Sequence, residues 1–215
     1  VNSGPDTGPV NTIFRPVIIS PVIEKWLENY RFRSWYILSV ILIFTLVSAL
    51  FAGFWKRGES VLSIYTTGIS AGAYSICLMM IFQARYGSLY LYVSLLLLFL
   101  YAGFSAGSLI KKFRGADYAI GLFIPVSMLI LITMPSEFKP LFYAFHFIIG
   151  AGAGAQFRSV DSPSQGILNT ADLAGGVAGT ALVPAVIIPE FGIVPVIAGI
   201  SILKLLSGLA GLRYR

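Results

Sequence analysis

The chain has 215 residues, of which 57% are hydrophobic and 11% charged, against roughly 25% charged in soluble domains. Its net charge of +6 invites a nucleic-acid reading, but the Lys and Arg residues gather at the ends of apolar runs (Lys56-Arg57, Lys111-Lys112, Arg114, Arg213, Arg215), where they anchor and orient membrane helices. Most soluble enzymes and nucleic-acid binders are thereby excluded, and the single cysteine, Cys77, excludes an intramolecular disulfide or a thiolate metal cluster.

Residues 1–34 form a lead-in. The first twenty are rich in Gly and Pro and lack the basic-then-apolar pattern of a signal peptide. A start at Val1 in such a polar stretch suggests a fragment, a processed end or the continuation of a larger polypeptide. Between Pro21 and Tyr30, Val22, Ile23, Trp26, Leu27 and Tyr30 share one helical face while Glu24, Lys25, Glu28 and Asn29 lie mostly on the other. That spacing predicts an amphipathic helix, resting on the membrane surface or on a soluble core.

From residue 35 to 215 the pattern predicts an all-α bundle of seven transmembrane helices. A span needs roughly 20 mostly apolar residues, and only a helix satisfies its own backbone in lipid. The expected spans are Trp35–Trp55, Val61–Ala84, Leu89–Ile110, Tyr118–Met134, a short Pro140–Ala155, Ile167–Ile188 and Phe191–Leu212. Short connections make consecutive spans antiparallel neighbours. One side carries Lys56, Arg57, Lys111, Lys112, Arg114, Arg158, Arg213 and Arg215, and the positive-inside rule leans toward that side being cytoplasmic.

Small residues make the second pattern. Gly68/Gly72, Gly103/Gly107 and Gly175/Gly179 are spaced as G-x-x-x-G, and Gly150, Gly152 and Gly154 alternate with alanines. Lipid offers no hydrophobic drive between helices, so close backbone approach at such faces holds a bundle together. The second, third, fifth and sixth spans are therefore expected at the packed centre, with the first, fourth and seventh toward lipid.

Polar residues inside spans are functional candidates because each is costly in hydrocarbon. The candidate cluster is Gln156, Arg158, Asn169 and Asp172, with Asp161 in the turn and Lys204 in the last third of the seventh span. Asn169 and Asp172 are three apart and share a helical face. They either cap the N-terminus of the sixth span, where the helix dipole favours an acid, or form an ion or proton site with Arg158 or Lys204 as counter-charge. Lys204 has a third option, snorkelling to the interface. Arg85 reads as a headgroup anchor. His146, the only histidine, reads as a packing residue, since one histidine makes no bis-His haem site. The run Gly150-Ala-Gly-Ala-Gly-Ala155 matches G-x-G-x-x-A, but that fingerprint requires a strand–turn–helix unit and here spans flank it. No cofactor or metal site is expected of this chain.

Two stretches together carry a family resemblance. Thr66-Thr-Gly-Ile-Ser-Ala-Gly-Ala-Tyr74 through Ala102-Gly-Phe-Ser-Ala-Gly-Ser108, and Ile149-Gly-Ala-Gly-Ala-Gly-Ala-Gln-Phe157 with Asn169-Thr-Ala-Asp-Leu-Ala-Gly-Gly-Val-Ala-Gly179 and Phe191-Gly-Ile193, are similar to the membrane helices of membrane-bound spermidine synthase-like proteins. Asn11-Thr-Ile-Phe-Arg-Pro-Val17 and Trp26 resemble the stretch after the aminopropyltransferase domain in fused members. A nucleotide loop and an acidic polyamine pocket are missing from these residues. The resemblance thus implies the membrane half of such a protein, in a bacterial inner membrane, without aminopropyl transfer of its own. The expected function is a non-catalytic membrane domain that anchors or scaffolds a larger assembly, with a protein partner or fused soluble domain near residues 1–34. A transporter-type module for a cation such as a polyamine, and a cofactor-free membrane subunit of a redox complex, are the alternatives.

Overall fold

A computed structural model describes residues 58–87, 89–111, 113, 115–133, 138–160 and 164–212. Within them the helices are α1 (Gly58–Tyr86), α2 (Leu89–Gly107), α3 (Ala116–Thr133), α4 (Pro140–Ser159), α5 (Gln165–Val177), the single turn α6 (Ile188–Phe191) and α7 (Ile193–Leu212). A π-helical segment, Ala178–Ile187, joins α5 to α6, so Gln165–Phe191 is one continuous rod. There are no strands among the described residues.

Four helical stretches are long and apolar enough to cross a membrane: Ser60–Tyr86, Ala116–Thr133, Gln165–Phe191 and Ile193–Ala210. Tyr92–Gly107 is a shorter apolar helix. The described residues are thus all-helical in their regular structure, with the character of an integral membrane protein. The expected first span, Trp35–Trp55, lies outside the described residues, as do the lead-in and the amphipathic stretch. α4 begins with Pro140, whose missing N–H costs nothing in a first turn, and runs to Ser159, one turn past its expected end.

Two glycines make the sharp helix ends. Gly87, at φ +66°, follows α1 and donates its N–H to Gln83 O at 2.9 Å. Gly192, at φ +80°, does the same to Ile188 O at 2.8 Å and sets the break before α7. Such left-handed caps satisfy a terminal carbonyl in a conformation only glycine adopts without strain. Pro184, inside the rod, lacks the N–H that an α-helical turn would use, and its ring would crowd the carbonyl four residues back. The wider π geometry accommodates it.

α1 is the axle of the bundle and packs against α2, α3, α4, α5, the π segment and α7. Its core face carries Tyr74, Leu78 and Phe82, which meet Ile124 and Met128 of α3, Phe142 and Ile149 of α4, and Val196 of α7. Two helix pairs touch backbone to backbone. A Cβ on Gly103 would fall within 3.0 Å of Phe147 O, one on Gly107 of Ala151 O, one on Gly150 of Leu100 O, and one on Gly154 of Phe104 O. Residue numbers rise together across this contact, so α2 and α4 run parallel. α1 and α5 are parallel too: Gly68 abuts Asp172 O, Gly175 abuts Tyr65 O and Gly179 abuts Ile69 O, while Gly72 faces Gly176 O at 3.0 Å. Gly152 instead faces the Ile120 side chain of α3, also at 3.0 Å.

The starts of α1, α3 and α5 and the ends of α2, α4 and α7 share one end of the bundle, which also bears Lys111 and Arg158. It is called the basic end below. At the other end, Lys139 lies 5.1 Å from the ring centres of both Tyr86 and Tyr92. Arg85, expected to reach headgroups, instead donates to Leu131 O in the last turn of α3, where helix carbonyls lack intrahelical partners and a cation is favoured.

Candidate functional site

Hydroxyl-bearing residues in α1 need partners for their side chains inside an apolar bundle. Thr66 and Thr67 fold back onto Ser63 O at 2.9 and 2.7 Å, the usual local solution for such residues in a membrane helix. That places Ser63 and Thr67 on the face toward α3, α4 and α7. Each of those helices brings one polar side chain to meet them: Asp117 from the first turn of α3, Gln156 from the last turn of α4, and Lys204 from α7.

The charged and amide groups of the cluster all find partners, with the one Thr67 hydroxyl proton shared between Ser63 O and Gln156 Oε1. Lys204 is fully buried, and its ammonium has three protons and three acceptors: an Asp117 carboxylate oxygen in a salt bridge, Ser63 O at 3.1 Å, and Thr67 Oγ1. The Gln156 amide uses one proton on Asp117 Oδ1 at 2.8 Å and the other on Ser63 Oγ, while its carbonyl oxygen accepts from Thr67 Oγ1 at 2.6 Å. Ser63 Oγ in turn donates to Asp117, lying 2.9 Å from Oδ2 and 3.1 Å from Oδ1. Thr66 adds Ser207 of α7 at 3.1 Å. One positive and one negative charge cancel, and each charged group is surrounded by groups of matching polarity. Only the Asp117 side chain reaches outward, 20% exposed against 0% for Lys204.

Of the residues singled out from sequence, the structure joins Gln156 and Lys204 in this network. Arg158 and Asn169 are exposed, and Asp172 is half-buried. Among the described residues no hydrogen bond or ion pair engages the Asp172 side chain, and neither Arg158 nor Lys204 serves as its counter-charge. Lys204 does not snorkel. Nor do Asn169 and Asp172 cap a helix: Ser164 stands at the N-cap position and α5 begins at Gln165, so both lie one to two turns inside it. Asp161 lies outside the described residues. His146 is fully buried on α4, its Nδ1 2.8 Å from Phe142 O.

Asp117 was the residue sequence reasoning missed. It stands one residue ahead of the expected fourth span and looks like a loop acid. The available signal was indirect: a lysine eight residues inside the last helix needs an acid from the same end of the bundle.

This arrangement is suited to holding helices together. It contains no nucleophile with a free base beside it, and its carboxylate is committed to three donors. Among the described residues no three His, Cys, Asp or Glu side chains converge as a metal site would need. No family model matches the chain, and no curated protein or solved structure matches it.

Proposed function

We propose that this chain is a non-catalytic membrane domain that crosses the bilayer seven times and anchors a larger assembly. In this reading Trp35–Trp55 supplies a further span, and residues 1–34 join the bundle to a soluble partner or fused domain. The likeness of the Gly-rich stretches to spermidine synthase-like membrane halves suggests what kind of assembly, and a bacterial inner membrane as its place. The observation that carries the reading is the closed Lys204–Asp117 network. A transport or catalytic site keeps ligand valences free for its substrate, whereas here the ammonium and carboxylate spend theirs on clamping four helices together. The test is to purify the native polypeptide in mild detergent and take its intact mass and that of whatever elutes with it. A covalently attached soluble domain, or a stoichiometric soluble partner, is the expected result. A chain of this size alone, eluting without a partner, refutes it.

One observation favours a second reading, a cation path along α5: among the described residues nothing pairs with the half-buried Asp172 carboxylate. If Asp172 binds a cation such as a polyamine, Asp172→Asn abolishes uptake into proteoliposomes and leaves the melting temperature in place. Unchanged uptake removes that reading. The redox-subunit alternative has no comparable observation in its favour.

A further inference from the structure

A crevice opens in the side of the bundle at the end opposite the basic end. Ile81 and Arg85 of α1, Leu131 and Ile132 of α3, and Ile193 and Val194 of α7 line it. Its depth follows from the helix ends. α1 stops at Tyr86, α3 stops at Thr133 and α7 starts at Ile193, so these residues all stand in the terminal turn or two of their helices. The gap amounts to about 270 Å³ counting its open part. Ile132 and Val194 on its rim are 44% and 47% exposed, and Leu129, one turn further into α3, is 62% exposed. The crevice therefore opens where the bundle meets hydrocarbon, just below the level of the headgroups.

Arg85 is the only charged residue that lines it. The side chain is half-buried. A guanidinium has five N–H donors, and the bond to Leu131 O uses one nitrogen, Nη2. Among the described residues no carboxylate pairs with it. A cation at this depth is costly until an anion joins it. Lys139, the other described cation at this end, lies against the rings of Tyr86 and Tyr92, on the side of α2 and α4, so the crevice relies on Arg85 alone.

We propose that this crevice binds one anionic phospholipid, with its phosphate on Arg85 and the upper part of one acyl chain laid against Ile132, Ile193 and Val194. Two features select this occupant. The planar fork of an arginine takes two phosphate oxygens at once, and the bond to Leu131 O holds that fork at the rim. The walls beneath it are aliphatic, which suits a hydrocarbon chain and offers a soluble anion nothing to hold. A zwitterionic lipid carries the same phosphate but brings its own ammonium, which competes with the guanidinium. Lipids of net negative charge are therefore preferred. The inference stands whether or not a soluble partner binds this chain.

Native mass spectrometry of the full chain in mild detergent, titrated with phosphatidylglycerol or phosphatidylcholine, tests this. One phosphatidylglycerol should bind more tightly than phosphatidylcholine. Arg85→Gln should lower the phosphatidylglycerol affinity about tenfold, as expected for one charge-assisted contact, and remove the preference. Arg85→Lys keeps the charge without the fork and should fall between the two. Lys111→Gln, at the basic end, should change nothing. Because Arg85→Gln also disturbs the contact to Leu131 O, Val194→Trp gives an independent reading. It fills the crevice, leaves the guanidinium in place, and should weaken phosphatidylglycerol binding several-fold without moving the melting temperature. Equal affinity for the two lipids, or an Arg85→Gln variant that binds phosphatidylglycerol as the native chain does, refutes the proposal. Displacement of the lipid by millimolar inorganic phosphate would make this a soluble-anion site. A several-fold gain in binding in Glu137→Gln would give Arg85 to an acid between α3 and α4. Either result overturns the assignment.

Discussion

Removing Asp117 should be the most damaging polar substitution in the described bundle. In Asp117→Ala the Lys204 ammonium stays fully buried but loses its counter-charge and one of three acceptors. Gln156 and Ser63 each lose an acceptor as well. Breaking a buried pair by removing one member typically costs about 3–5 kcal/mol. Lys204→Met is milder, because the remaining carboxylate keeps its bonds from Ser63 and Gln156 and its side chain is 20% exposed. The expected cost is about 1–3 kcal/mol, that of orphaned polar groups. The double variant leaves no uncompensated charge and should be less unstable than the sum of the singles. Neutral hydrogen bonds between membrane helices couple by only about 0.6 kcal/mol on average, so a charged network should give a coupling of roughly 2 kcal/mol. The assay is a double-mutant cycle on equilibrium unfolding in mixed detergent micelles. A coupling at or below about 0.6 kcal/mol, or an Asp117→Ala variant as stable as Lys204→Met, would refute the buried ion pair as the bundle's clamp.

Other substitutions separate the remaining contacts. Gly107→Ala places a methyl within 3.0 Å of Ala151 O and should destabilise by at least the roughly 1–3 kcal/mol of an overpacked core. Gly199→Ala, with nothing within 4 Å, should be neutral or stabilise by up to about 1 kcal/mol; thermal unfolding in detergent distinguishes the two. Ser127 Oγ donates to Ile124 O at 2.9 Å, so the Tyr74 hydroxyl must donate to Ser127. Tyr74→Phe should therefore cost about 0.5–1.5 kcal/mol and Ser127→Ala, which orphans a buried hydroxyl, about 1–3 kcal/mol. The order of the two is the result to check, by the same unfolding measurement. Arg85→Gln keeps a donor for Leu131 O but removes a cation from the end of α3, and should lower stability by about 0.3–1 kcal/mol. A loss that vanished in high salt would place the guanidinium in water instead.

What could be read from the sequence divides along a physical line. Helical membrane character follows from local hydropathy: the apolar run Val61–Ala84 falls inside α1, and Tyr118–Met134 overlaps α3 from Tyr118 to Thr133. Boundaries set by a tertiary partner or by backbone geometry were less legible. α5 starts at Gln165 and not at Ile167, which moves Asn169 and Asp172 off the helix end. The π segment follows from one proline in a continuous apolar run, where hydropathy carries no information. For the site, Gln156 and Lys204 stand out because polar residues are rare in spans. Asp117 does not, because an acid in a first turn is ordinary. Its partner lies on a helix 87 positions further on, and only the assembled bundle selects Asp117 over Glu59 or Asp161.

The parallel pairing of α2 with α4 has a consequence for biogenesis. Antiparallel hairpins can close as soon as their second arm is made, but a parallel pair must wait for the helix between to be synthesised and inserted. The backbone that meets Gly103 belongs to Phe147, roughly 40 residues later, which at about 5–20 residues per second is a delay of about 2–8 s. For that interval the glycine face of α2 is bare in the membrane. α1 waits longer still, because the contact to Tyr65 comes from Gly175. The nascent chain thus spends its first seconds in the bilayer with its stickiest surfaces unpaired, and a chaperone or insertase able to shelter them would decide its yield more than the stability of the finished bundle does.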